Sequence, residues 1–358
     1  MEFDLIRRYF GQPFKALEEG CRQSVVAGIG DDCASLRLSP GHLLYMSTDT
    51  LVEGVHFFHD DPPANVGWKS LACNLSDLAA CGADPIGFNL SLSLPFVDEG
   101  WLAGFSSGLL QAASQFNCPL VGGDTTSAGA NAASTLSITI IGQSPETHRG
   151  FHRSLALPGD DVWVSGMPGL ARLGMLLEYQ ARGGLASCCT AAELPQLASL
   201  LSEMPTALKE SALLSFQQPQ PQVRLGVALR SLANACIDLS DGLVGDLSHI
   251  ALASGLSAVL SAAAIRDRWL QFWPSLSSHP EAESLLAALV AASLQGGDDF
   301  QLCWTASSHL HDAVLDLSAR PWCIGHMVQG KGVWLSEAGQ PPQSLVNNSY
   351  NHFKGRAS

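Results

Sequence analysis

The chain has 358 residues, room for two domains at ~150 residues each, and its 46% hydrophobic against 15% charged residues supply ample buried core. Asp and Glu number 33 against 19 Lys and Arg, a formal net charge of −14, which excludes a nucleic-acid surface built from basic side chains. An acidic chain binds phosphates instead through metal ions or backbone amides.

No apolar run approaches the ~20 residues of a membrane helix, and Met1-Glu2-Phe3-Asp4 brings acids where a signal peptide carries bases. A cytoplasmic protein with no membrane partner is expected. The ten cysteines show no C-x-x-C spacing, and adjacent Cys188-Cys189 have a poor geometry for an ordinary bridge. Cys73, Cys81, Cys236 and Cys303 sit among Ala, Leu and Ile and read as small buried hydrophobes.

In chain order, residues 1–145 read as one unit and 146–358 as a second. Residues 41–49 read as a strand ending in a Ser-Thr-Asp-Thr turn. Pro62-Pro63 precede a helix over 64–81, closed by Gly82 and Pro85. Residues 88–94 alternate as a half-buried strand, 101–116 read as a helix, 119–121 as a short strand and 135–141 as another. Gly142, Pro145, Gly150, Pro158 and Gly159 cluster at the boundary. A strand over 161–165 opens the second unit, a helix follows Gly169, and Gln217-Gln218-Pro219-Gln220-Pro221-Gln222 reads as an extended connector. Tyr350 and Phe353 read as a terminal packing anchor. There is no regular repeat; only Leu75-Ser76-Asp77 and Leu239-Ser240-Asp241 echo each other.

Many Asp residues sit among small or apolar neighbours. Asp31 and Asp32 follow Gly28-Ile29-Gly30, Asp49 lies between two Thr, and Asp77 shares a helix face with Asn74. Asp124 follows Gly122-Gly123, Asp238 and Asp241 flank Leu239-Ser240, and Asp298-Asp299 follow Gly296-Gly297. Any one alone reads as a turn or an exposed helix residue. Together they favour a multi-metal phosphate site, because burying such groups without counter-charge is costly. Magnesium takes carboxylate, hydroxyl and water oxygens and shares them with phosphates. No G-x-x-x-x-G-K-[ST] is present, no kinase H-R-D with D-F-G, and Cys33 breaks a G-x-G-x-x-G; His and Cys lack zinc spacing.

In order, GIGDDCA (28–34), STDTLVEGVHF (47–57), NLSDLAACGADP (74–85), GGDTT (122–126), DLSDGL (238–243) and GGDDFQL (296–302) resemble the thiamine-monophosphate kinases. That family is related to aminoimidazole ribonucleotide synthetase, selenophosphate synthetase and a hydrogenase maturation factor. The resemblance implies a two-lobed α+β fold, with an N-terminal mixed α/β lobe whose sheet forms a homodimer and a C-terminal α/β lobe. It implies transfer of the γ-phosphate of ATP to thiamine monophosphate with several Mg2+ ions. Carried over, Asp32, Ser47, Thr48, Asp49, Asp77, Asp124, Asp238 and Asp241 resemble magnesium ligands. Gly123, Asp124, Arg153 and Ser240 resemble ATP contacts, and His56 and Asp298 substrate contacts. The acceptor is already anionic near neutral pH, so no general base is expected.

Asp298 stands where the family has Glu, Gln218 to Gln222 where it carries Arg, and the closing aromatic has no equivalent. These departures keep two alternatives open: another ATP-using member of the superfamily, or a catalytically weak nucleotide- and metal-binding protein. Cys21 lacks the neighbouring Lys of selenophosphate synthetase, and the chain ends Lys354-Gly355-Arg356-Ala357-Ser358 without the maturation factor's terminal Cys.

Overall fold

The computed structural model describes residues 2–30, 32–148 and 150–346; Asp31, Tyr350 and Phe353 lie outside them. No element is expected before residue 41, yet the chain opens with α1 (Glu2–Ile6), a π turn over Arg7–Gly11 and α2 (Gln12–Gly20). Burial of Tyr9, Phe10 and Phe14 anchors this segment. A two-stranded ribbon, β1 (Val25–Ala27) and β2 (Ser35–Leu36), follows.

The first unit is then built from β3 (His42–Val52), α3 (Pro63–Ala80), β4 (Asp84–Leu94), α4 (Glu99–Gln115), β5 (Leu120–Ser127) and β6 (Thr135–Pro145). Pro63 suits the first turn of α3, where its missing N–H has no partner to lose. Asp98 caps α4, its carboxylate accepting from Trp101 N at 3.0 Å. The strands form one sheet in the order β3-β6-β4-β5, antiparallel except for β4 and β5. Leu136, Ile138 and Ile140 of β6 alternate with half-buried Ser137 and Thr139, so one face is dry. Leu71, Leu75 and Leu78 of α3 are essentially inaccessible; each such burial contributes about 1.5–3 kcal/mol.

β7 (Asp160–Val164), α5 (Leu170–Ala181), α6 (Leu194–Glu203) and α7 (Thr206–Gln217) belong to the second unit. Pro221–Arg230, which contains α8 (Val223–Ala228), returns to the first unit. The chain then completes the second unit with β8 (Ala233–Asp238), α9 (Leu243–Ser254), β9 (Leu256–Ser261), α10 (Ala262–Phe272), α11 (Ala282–Gln295), β10 (Leu302–Ser307), α12 (His311–Leu315), β11 (Trp322–Gln329), β12 (Gly332–Ser336) and β13 (Gln343–Ser344). Among the described residues its strands lie in the order β13-β12-β9-β11-β7-β10-β8, antiparallel except for β12 and β9. The whole is an α+β fold of two units, as expected. Among the described residues no helix is long and apolar enough to cross a membrane.

Candidate functional site

The expected turn at 47–50 is extended strand, because β3 pairs with β6 from His42 to Val52 without a break. Pleating therefore sends consecutive side chains to opposite faces. Ser47 and Asp49 turn toward α3, where the Ser47 hydroxyl donates to Asp77 Oδ2 at 2.5 Å. The Asp49 amide donates to Asn74 Oδ1 at 3.2 Å. Asn74 is fully buried and held by its own bond to the Ser70 carbonyl. Thr48 points the other way, with its hydroxyl 2.9 Å from that of Thr139 on β6. Only the Thr48 main chain stays with Ser47 and Asp49.

A second group lies in a cleft of about 440 Å³ in the same unit, lined by residues 28–30, Asp32 and residues 122–124. Two motifs almost ninety residues apart thus share one cleft. Gly123 has φ 150°, and a Cβ there would lie 1.9 Å from the Leu90 carbonyl oxygen, so only glycine permits this approach of β5 to β4. Thr50, Ser137, Ser91 and Asp124 form one row across the four strands. Asp124 accordingly shares the open face with Thr50, opposite to Asp49. Three strand spacings separate β3 from β5, about 14 Å. The first unit by itself does not bring Asp124 to Asp49.

His56 sits in the turn after β3, shaped by Gly54 at φ 78° and by a Gly54 N–H bond to the Phe57 carbonyl at 2.8 Å. Its Nδ1 accepts from the Val52 amide at 2.9 Å. In neutral imidazole the proton then resides on Nε2, making that nitrogen a donor. Lys69, buried on α3, donates to the His56 carbonyl at 3.4 Å. A buried lysine in an apolar helix was the available sequence signal for this support.

In the second unit the DLSDGL and GGDDFQL motifs are stitched together. Asp298 N donates to the Ser240 carbonyl at 2.9 Å and Phe300 N to that of Leu239 at 2.8 Å, while Leu239 N bonds the Gln301 carbonyl at 2.8 Å. This brings Ser240, Asp241 and Asp298 into one loop pair, directly after Asp238 at the end of β8. Asp298 adopts φ 65°, a left-handed conformation that the short Asp side chain tolerates better than most.

Two carboxylates missing from the expected set hold these loops. Asp246 Oδ2 accepts from the amides of Ser240, Asp241 and Gly242, each at 3.1 Å. Asp299 accepts from Gly169 N at 2.7 Å and Ala171 N at 3.1 Å, covering the start of α5. Burial pushes the Asp246 carboxyl up to about 7, with the Asp241 charge adding to it and the three amides opposing. Burial likewise raises Asp299 to about 8 against its two amide bonds. An acid four residues past the Gly242 turn, and a second acid beside Asp298, were the signals in the sequence.

Arg153 is not brought to these loops within its unit. Its carbonyl accepts from Ser254 Oγ at 2.8 Å, at the C-terminal end of α9. The Ser240–Asp241 turn lies at the other end of that 12-residue helix, about 18 Å away along the axis.

The side chains present fit a hard cation. Carboxylates and a hydroxyl are oxygen donors of the kind magnesium takes, and Ser47 with Asp77 already juxtaposes two of them. Among the described residues no three His, Cys, Asp or Glu converge to hold an ion.

Residues 30–144 match the family model described as AIR synthase related protein, N-terminal domain. The chain is 38% identical over 358 residues to thiamine-monophosphate kinase of Escherichia coli (strain K12), covering 98% of each. The crystal structure of thiamine-monophosphate kinase from Stenotrophomonas maltophilia K279a superposes with a TM-score of 0.73 at 34% identity, covering 91% of this chain and 96% of that one. The structure of AaThiL complexed with AMPPCP and TMP shares the fold, with a TM-score of 0.65 at 24% identity over 93% and 95% of the two chains.

Proposed function

Because the chain belongs to the thiamine-monophosphate kinase family, we propose that it transfers the γ-phosphate of ATP to thiamine monophosphate. An oxygen of the acceptor phosphate forms the new P–O bond, the bond to the β-phosphate bridge breaks, and ADP and thiamine diphosphate leave. The observation that carries this reading is the cleft shared by residues 28–30, Asp32 and residues 122–124, where backbone amides would meet a phosphate directly and the two carboxylates would meet it through a cation. The AaThiL complex with AMPPCP and TMP supports it.

Asp49, Asp77, Ser47 and the Thr48 main chain on one face, Asp32 and Asp124 in the cleft, and Asp238 and Asp241 in the second unit would hold magnesium. When bound, magnesium neutralises charge between two anions. Gly123 lets the β5 backbone meet a nucleotide phosphate in the first unit, and Ser240 is read as a nucleotide contact of the second. His56 offers Nε2–H to the acceptor and takes no proton from it, since the acceptor phosphate is ionised at neutral pH and in-line transfer then depends on positioning. Asp298 contacts the thiamine moiety.

We further read residues 1–145 as the metal, ATP and dimerisation domain and 146–358, apart from the Pro221–Arg230 segment that joins the first unit, as the domain completing the ATP and substrate site, in a cytoplasmic homodimer. The open sheet face supports the dimer: Leu44 and Met46 are 51% and 60% exposed there, an apolar pair that water does not favour. Incubation with ATP, magnesium and thiamine monophosphate should yield thiamine diphosphate and ADP in equal amounts. ADP without thiamine diphosphate, or no product, rejects the assignment.

A further inference from the structure

Cys188 and Cys189 lie between α5 and α6, just past a 3-10 turn over Leu185–Ser187. Both thiols address one atom: each Sγ donates to the Leu185 carbonyl oxygen at 3.2 Å. Two sulfurs so placed are at most 6.4 Å apart. Both residues are half-buried and reachable, whereas Cys21 and Cys118, which also lie near one another, are buried. A direct bond between adjacent cysteines fits disulfide geometry badly. One bridging atom with bonds of about 2.3 Å, the zinc–thiolate length, spans sulfurs up to ~4.6 Å apart after a side-chain rotation.

The pair is wired to the loop that carries Asp298. The Cys188 carbonyl accepts from Arg172 Nη2 at 3.2 Å. Arg172, in the first turn of α5, packs so tightly on Gly296 that a Cβ there would lie 2.6 Å from the Arg172 Cβ. Gly296 leads directly into Gly297-Asp298, whose amide is fixed to Ser240. One side chain thus spans the two: Arg172 Cβ and Cγ lie against Gly296, while its Nη2 is tied to the Cys188 carbonyl. Moving the Cys188 backbone releases the Nη2 end of the side chain whose base packs on this loop.

We propose that Cys188 and Cys189 form a dithiol site for a thiophilic centre of the trivalent-arsenic class, whose capture loosens the Gly296–Asp298 loop and weakens acceptor binding. The kinetic consequence rests on the reading of Asp298 as a substrate contact. In the reaction with an arsenoxide, arsenic forms two As–S bonds and loses its oxygen. The two thiol protons leave with that oxygen as water, and nothing is oxidised or reduced.

The test uses phenylarsine oxide on the full-length chain, beside Cys188→Ser and Cys189→Ser. One equivalent should add by mass, map to 188–189, and fail to add stably to either variant. The adduct should speed hydrogen exchange at the 296–300 amides and raise the KM for thiamine monophosphate about fivefold or more, the low end for coupled sites. The KM for ATP should stay unchanged, and 2,3-dimercaptopropanol should reverse both effects. Stable addition to both serine variants overturns the site. An adduct that leaves exchange at 296–300 unchanged overturns the coupling. Mass and exchange are read whether or not the chain turns over thiamine monophosphate, so failure of the proposed activity is seen separately.

Discussion

The two units place their candidate residues by different means. In the first, Ser47, Thr48, Asp49 and Asp124 ride on regular strands, and the pleat alone decides which face each one serves. In the second, Asp238 ends β8, while Ser240, Asp241 and Asp298 stand on two loops that hold each other through backbone bonds and buried carboxylates. A side chain lost from the sheet leaves its frame intact, because the frame is backbone pairing. A support lost from the loops takes the geometry with it.

That contrast can be broken by substitution. Asp49→Asn and Asp124→Asn should each lower kcat roughly 10²–10³-fold, the scale of losing one charge-stabilising group, with a thermal midpoint near that of the unmodified chain. Steady-state kinetics beside calorimetry checks both halves; near-normal turnover in either variant removes that residue from the site. Asp246→Ala should instead hurt both activity and stability. It strands three amides that share one acceptor, at a cost of about 2–4 kcal/mol, and calorimetry should show the midpoint falling by about 5–10 °C. An unchanged midpoint would mean the loops do not need their carboxylate.

His56→Ala lies between these cases. Since Nδ1 is engaged and Nε2 is the donor, kcat at saturation should stay within roughly tenfold, short of the ~10²–10⁴ of a lost acid–base group, while the KM for thiamine monophosphate rises. A thousandfold fall with loss of a basic limb in the pH profile would refute the donor role.

A smaller signal should appear in stability against pH. The Asp299 carboxyl sits at about 8 in the folded chain, against ~3.9 when unfolded. Between those values the folded state holds a proton that the unfolded state has released, so stability falls as pH rises toward 8. Melting from pH 5 to 8 should show that decline, and Asp299→Asn should make it shallower; an identical slope in both proteins counts against a raised carboxyl. The smallest effect belongs to the pleat. Thr48→Val should alter kcat by less than about threefold, as surface changes usually do, whereas Ser47→Ala, which removes the partner of Asp77, should exceed it.

Much of this was legible in the sequence because period and punctuation are local signals. The Pro62-Pro63 start and the Gly82 stop frame α3 to within a residue of the expected 64–81. The alternation at 88–94 and the strand read at 135–141 mark β4 and β6, although their pairing extends both strands beyond those bounds. The N-terminal helices escaped notice, since they are held by three aromatics whose burial no local pattern announces. The run Ser47-Thr48-Asp49 looked like a turn because its residue types favour turns, and unbroken pairing with β6 overrode that preference. Asp246 and Asp299 were hidden for a related reason. What they do is accept amides from a loop or helix start that the fold alone brings to them, one of them 130 residues away in sequence.

The return of Pro221–Arg230 to the first unit has a consequence for how the chain is made. Arg230 closes that unit from the far side of the sequence, with Nε on the Gly82 carbonyl at 2.7 Å and Nη2 on Asp84 at 2.8 Å. A ribosome that has just delivered residue 150 still lacks this segment. At ~5–20 residues per second, about 4–16 seconds pass before residue 230 emerges. Through that interval α3 has no α8 against Ala79 and β4 has no Arg230 on Asp84. Completion of the N-terminal half is thereby scheduled by translation of the C-terminal one.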